Sequence, residues 1–147
     1  VVITVIGVLA AAVTPGVGRW MEDYRVRAAS RRVMTDLQLA RMKAVADNVQ
    51  YQVYFNQANN QYWVQGWNPV ASAWNQLGIT RQLSNSANPA YEAGVTLSFS
   101  TGGDKTITFS SMGQTAAATT AMVASVNYQR NVTVSTTGSM QIVQVRP

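Results

Sequence analysis

Cysteine and histidine are both absent from the 147 residues. Without cysteine there can be no disulfide and no thiolate metal site. Without histidine the usual general base and the commonest metal ligand are missing. Charge is scarce too: 12% of the residues are charged, about half of the ~25% usual for a soluble domain. Apart from the neighbours Glu22 and Asp23, the six acids are scattered and form no cluster. Asp104, beside Gly102 and Gly103, is a single carboxylate, too few for a calcium site. An enzyme is therefore the least expected class, and no catalytic residue, cofactor or metal site is assigned.

What is present is concentrated at one end. Residues 1–13 read VVITVIGVLAAAV, with no charge and Thr4 as the only polar side chain. As a helix this run covers roughly 20 Å, short of the ~30 Å of a hydrocarbon core. It has neither the basic start nor the cleavage site of a secretory signal, and more apolar residues are expected before Val1. Pro15 removes a backbone donor and Gly7 weakens the same stretch, so a helix break is expected at Gly7 and Pro15. Beyond Gly16, the residues Val26, Ala29, Val33, Leu37, Ala40 and Ala44 recur in helical steps of three and four. Val33, Leu37, Ala40 and Ala44 are expected to pack the helix on a sheet. Asn48, which tolerates the left-handed conformation, is a plausible end. Such a helix would be ~70 Å long, more than one small domain can cover.

After Asn48 the period switches to two. Tyr51, Val53 and Phe55 start a strand, residues 57–60 turn it, and residues 61–67 return. Residues 68–77 read as a loop, 79–83 as a short strand and 84–94 as a polar loop. Val95, Leu97 and Phe99 form a one-faced strand that Gly102-Gly103 turns into 105–110, with Ile107 and Phe109 inward. The Ala/Thr-rich residues 111–121 give little signal. Strands over 124–129, 131–136 and 140–145 complete the set, the last two joined by Thr137-Gly138. The fold class is α+β, a long N-terminal helix packed on an antiparallel sheet domain. Residues 1–48 form the helix, with a hydrophobic half 1–15 and an amphipathic half 16–48, and residues 49–147 form a β-rich globular domain.

Seven of the eleven basic residues and four of the six acids fall in residues 1–47, a net charge of +3. The rest is coated with Ser, Thr, Asn and Gln, as suits an exported surface. The helix cations could meet acidic lipid or DNA; interspersed acids favour a solvated face or one ion-paired between subunits. Tyr62, Trp63, Trp67 and Trp74 could stack on sugars or bases, but are expected to cover the sheet or a seam between subunits. Asn131-Val132-Thr133 matches a glycosylation sequon inside an expected strand.

VVITVIGVLAAAVTP resembles the N-terminal helix of type IV pilins and type II secretion pseudopilins. Gly7, Ala10, Ala11, Ala12 and Pro15 stand where that family has its glycine, small residues and proline. The family's opening aromatic and its helix glutamate have no counterpart, since the sequence starts just after them. Asp36 to Arg41, then Lys43, Ala44, Val45 and Asn48, together with Val132 to Gly138, resemble the GspH/FimT branch. The resemblance implies a subunit anchored by its helix in inner-membrane lipid and then packed into a pilus or pseudopilus. Val1, Val2, Ile3, Val5, Ile6, Val8, Leu9 and Val13 would form the filament core. Implied partners are identical or related pilins, an inner-membrane platform protein and an assembly ATPase. Alternatives are a minor pseudopilin of type II secretion and a DNA-binding minor pilin. Members that bind DNA carry arginines after the last hairpin turn, where this chain has Gly138-Ser139-Met140-Gln141. Nucleic acid is thus a possible but not a favoured partner, with Arg130 and Arg146 as the remaining cations.

Overall fold

The computed structural model describes residues 2–84, 94–100 and 103–146, with side chains over 18–145 within them. Helix α1 spans Val2–Ala46. It ends where its first left-handed residue, Asn48 (φ 53°), lets the Val49 N–H reach back to the Ala44 carbonyl at 3.3 Å, the six-to-one bond of a Schellman stop. The helix assignment runs through Gly7 and Pro15 without a gap, so the isolated chain shows no open turn there. A missing proline donor removes one bond while the bonds on either side still bracket it. Among the described residues no helix is long and apolar enough to cross a membrane.

Eight strands follow: β1 Tyr51–Asn56, β2 Gln61–Asn68, β3 Ala73–Gln82, β4 Thr96–Phe99, β5 Lys105–Phe109, β6 Thr119–Ala124, β7 Gln129–Val134 and β8 Met140–Arg146. They form two antiparallel four-stranded sheets, ordered β3-β2-β1-β5 (sheet A) and β4-β6-β7-β8 (sheet B). Helix α1 packs on both. The core lies between them, filled by Val26, Val33 and Leu37 from the helix and by alternate residues such as Val53, Phe55, Ile107, Val123 and Val132 from the strands. Phe55 of sheet A meets Phe99 of sheet B edge-on, centroids 5.3 Å apart. Asn60, with φ 51°, ties the same seam: its side-chain oxygen accepts from the Leu97 N–H and its carbonyl from the Leu83 N–H.

Three expectations from the sequence need correction. Residues 68–77 are not one loop. Asn68 Oδ1 caps a tight turn by accepting from the N–H groups of Val70 and Ala71, and β3 then begins at Ala73. That strand is an edge, mostly exposed on both faces, so no alternation of apolar residues marks it. Strand β6 covers 119–124, and residues 125–128 are its turn, closed by the Ser125 N–H on the Tyr128 carbonyl at 2.8 Å. Its inward residues, Ala121 and Val123, include one small side chain, which blurs the period. Finally, β4 and β5 do not pair with each other: β4 joins β6 and β5 joins β1. Alternation fixes which face of a strand is buried, not which strand lies beside it. The polar loop around Pro89 falls outside the described residues.

Candidate assembly surface

One stripe of α1 is consumed by the body. Val26, Ala29, Ser30, Val33, Leu37, Ala40 and Ala44 are buried, at the steps that bring one helix face together. The stripe covers about 27 Å of helix axis. Over residues 18–25 no side chain is buried. There Trp20 and Tyr24, 69% and 51% exposed, stack at 6.2 Å. Farther along, Leu39, Met42 and Val45 are also exposed. Leu39 joins Lys43, Val64, Leu77 and Ile79 to line a groove between α1 and β3, with Asp36 and Arg81 beside it. The proposed filament-core side chains, Val1, Val2, Ile3, Val5, Ile6, Val8, Leu9 and Val13, lie outside the described side chains.

Polar clamps fix the angle at which the helix leaves the body. Asp36, 7% exposed on the buried side of α1, accepts from the Tyr62 hydroxyl at 2.8 Å and lies 3.3 Å from Arg81 Nε. A carboxylate among core residues requires such partners. Asp23 is bridged by Arg27 at 2.6 Å, one turn along the helix, and by Arg130 of β7 at 3.4 Å. Glu22 accepts from the Asn127 amide at 2.9 Å. Near the other end, Arg41 donates from Nε to the Gly113 carbonyl at 3.0 Å and from a terminal nitrogen to Thr137 at 3.5 Å. Of the helix cations, Arg27 is thus ion-paired within α1 and Arg41 is hydrogen-bonded to two turns of the body. None of these clamps was read from the sequence. The signal available was Asp36 itself, a carboxylate set beside Val33, Leu37 and Ala40.

Burial, then the Asp36 charge and hydrogen bond, push the Tyr62 phenol well above its usual range. A raised folded pKa means that stability is complete below the unfolded value, ~10, and declines as pH climbs past it, where only the unfolded phenol ionises. Urea midpoints followed from pH 8 to 11.5 should fall at the alkaline end. The fall should be shallower in Tyr62→Phe; an identical decline in that variant would assign it to other groups.

The four aromatics expected to act together divide between two faces. Tyr62 is fully buried against Phe55 and Asp36, while Trp63, Trp67 and Trp74 sit half-buried on the opposite side of sheet A. Asp104 accepts from the Tyr54 hydroxyl and the Gln57 N–H, which explains it without a cation. Arg130, left open as a DNA contact, is 14% exposed and held by Asp23 and Gln144.

A family model described as Type II transport protein GspH matches residues 29–138. The chain belongs to the GspH family. This GspH-family chain matches no curated protein in sequence. Its fold is similar to that of the minor pseudopilin EpsH from the type 2 secretion system of Vibrio cholerae. That match has a TM-score of 0.66 and 13% identity, over 82% of this chain and 97% of that one. It is also similar to the type IV minor pilin FimU of Pseudomonas aeruginosa, with a TM-score of 0.64 and 16% identity over 84% and 92% of the two chains. The expected pilin-like α+β architecture is the observed one.

Proposed function

We propose that this chain is a pilin-like structural subunit whose N-terminal helix becomes the packed core of a type IV pilus or pseudopilus, with the two sheets as its coat. The observation that carries this reading is the mismatch between helix and body. Forty-five helical residues extend ~68 Å, whereas the buried stripe among the described side chains, Val26 to Ala44, occupies about 27 Å. Apolar residues 1–13 then pass from inner-membrane lipid in the precursor to neighbouring helices in the filament, and Gly7 with Ala10, Ala11 and Ala12 permits close approach. The family resemblance adds identical or related pilins, an inner-membrane platform and an assembly ATPase as partners. The finished filament is periplasmic or extracellular.

A filament structure tests this directly. It should place residues 1–25 at the axis and show departure from α-helix between Gly7 and Pro15, with residues 20–45 still helical. Regular bonding throughout residues 1–19 would remove the proposed break, and a filament axis formed by the sheets would remove the reading itself. A second reading, a minor rather than a major subunit, is favoured because EpsH and FimU are both minor subunits. Counting copies per purified filament separates the two.

The division of labour along α1 yields a simpler expectation. Deleting residues 1–17 should leave a soluble, folded, monomeric domain, because among the described side chains the buried helix contacts begin only at Val26. Circular dichroism and sedimentation check this; an unfolded or aggregated fragment would show that the deleted run supports the body.

A further inference from the structure

Helix α1 and the core occupy one face of sheet A. The opposite face is an aromatic and amide surface of regular layout. Gly66 fixes its orientation: a side chain there would strike Tyr51 and Leu77 on the core side, so its neighbour Trp67 turns outward. Trp67 and its register partner Trp74 pack edge-on with centroids 5.2 Å apart. Tyr54 and its partner Trp63 lie at 4.7 Å, tilted by 32°. Between the two ring pairs runs one row across the sheet, in which Thr108, Gln52, Gln65 and Gln76 stand side by side. Gln52 Nε2 donates to Gln65 Oε1 at 2.6 Å, and Thr108 donates to Gln52 Oε1 at 3.4 Å. Opposite Trp63 the register slips. Gly78, with φ +72° and open space where a Cβ would be, presents no side chain beside it.

Among the described residues this face carries no cation. Arg81 turns to Asp36 on the core side, and Lys105 shares the register position, hence the face, of Phe55. Gln52 itself is buried and holds its neighbours in place. We propose that this face binds a neutral polysaccharide, laid along β2 so that its sugar rings meet the two aromatic pairs and its hydroxyls meet Gln65, Gln76 and Thr108. Sugar rings offer apolar C–H faces bordered by hydroxyls. Tryptophan and tyrosine supply large apolar surfaces with one polar handle, and glutamine and threonine both donate and accept. Trp63 and Trp67, four residues apart on β2, are separated by ~13 Å, which calls for a chain of sugars. A nucleic acid would find rings but no counterion for its phosphates. A lipid surface would find its apolar contact interrupted by amides. The proposal rests on this face alone and does not depend on filament assembly.

The test uses the full chain in a polyoxyethylene detergent, carrying Trp20→Phe so that tryptophan emission reports Trp63, Trp67 and Trp74. The probes are chitohexaose, cellohexaose, xylohexaose and maltohexaose. At least one should change the emission saturably, and Trp67→Ala and Gln65→Leu should each weaken that binding by tenfold or more. Circular dichroism checks the fold of Trp67→Ala; if it unfolds, Gln65→Leu, which keeps all the rings, decides. No saturable response to any of the four probes overturns the proposal, as does a response that Gln65→Leu leaves unchanged. A stronger response to single-stranded DNA would show a nucleic-acid surface instead. Self-association abolished by Trp67→Ala would show a seam between subunits, and either result overturns the proposal.

Discussion

Filaments should disappear when aspartate replaces Leu9, and equally when it replaces Val5, while the β domain remains folded and the protein level holds. This is the expected result if residues 1–13 form the axis of an assembly. Either aspartate would be buried without a partner, at a cost of several kcal/mol per subunit. Helical assembly repeats that cost at every copy, so no portion of the filament escapes it. The control is Asn59→Asp in the β1–β2 turn, where the side chain is exposed and a charge stays hydrated; filaments should persist. Counting filaments by electron microscopy, with immunoblots for protein level, settles the comparison. Normal filaments carrying Leu9→Asp would mean that this helix is not the core.

The second large effect is expected in the body, at Gly138. This residue turns β7 into β8 with φ +78°, a conformation that costs a side-chain-bearing residue about 1 kcal/mol or more. Space is the larger problem. A Cβ at 138 would land on the Gly113 carbonyl oxygen and within 2.8 Å of Arg41 Nε. Two backbone turns and the arginine that bridges them to α1 therefore share one point, and the clash cannot be relieved by swinging a flexible side chain. Gly138→Ala should lower unfolding stability by roughly 3 kcal/mol, summing strain and overpacking. Arg41→Ala, which only loses hydrogen bonds to carbonyls, should lower it by about 1–2 kcal/mol. Chemical denaturation of the two variants gives the ordering; a milder effect at 138 than at 41 would mean that the turns readily separate.

Much of this was legible in the residues. The helix end at Asn48, the β1–β2 hairpin and the Thr137-Gly138 turn all follow from local chemistry: a left-handed stop, a strict period of two and a glycine between strands. The burial of Val33, Leu37, Ala40 and Ala44 follows from their spacing. What stayed hidden depends on distant partners. Strand β3 is held at an edge by pairing with β2, so its own residues carry little pattern. Asp36 meets Tyr62 and Arg81 across 26 and 45 positions of sequence, and nothing local distinguishes it from a solvated acid. The tryptophans were visible as a group; alternation along β2 already sends Tyr62 to the face opposite Trp63 and Trp67, whereas only the register shows that Tyr54 joins them.

The order of the strands has a mechanical consequence. Sheet A takes its fourth strand, β5, from beyond β4, and sheet B takes its first, β4, from before β5. Neither sheet is a continuous stretch of chain. Helix α1 touches strands of both sheets, so in the proposed filament tension would enter each body through it. Stripping sheet B from the C-terminal side leaves β4 trapped between segments that belong to sheet A, and removing β5 pulls on a link fixed at its other end in sheet B. The interlaced order ties the two sheets into one cooperative unit. A stretched filament should therefore hold its coat intact until a whole subunit gives way in a single step.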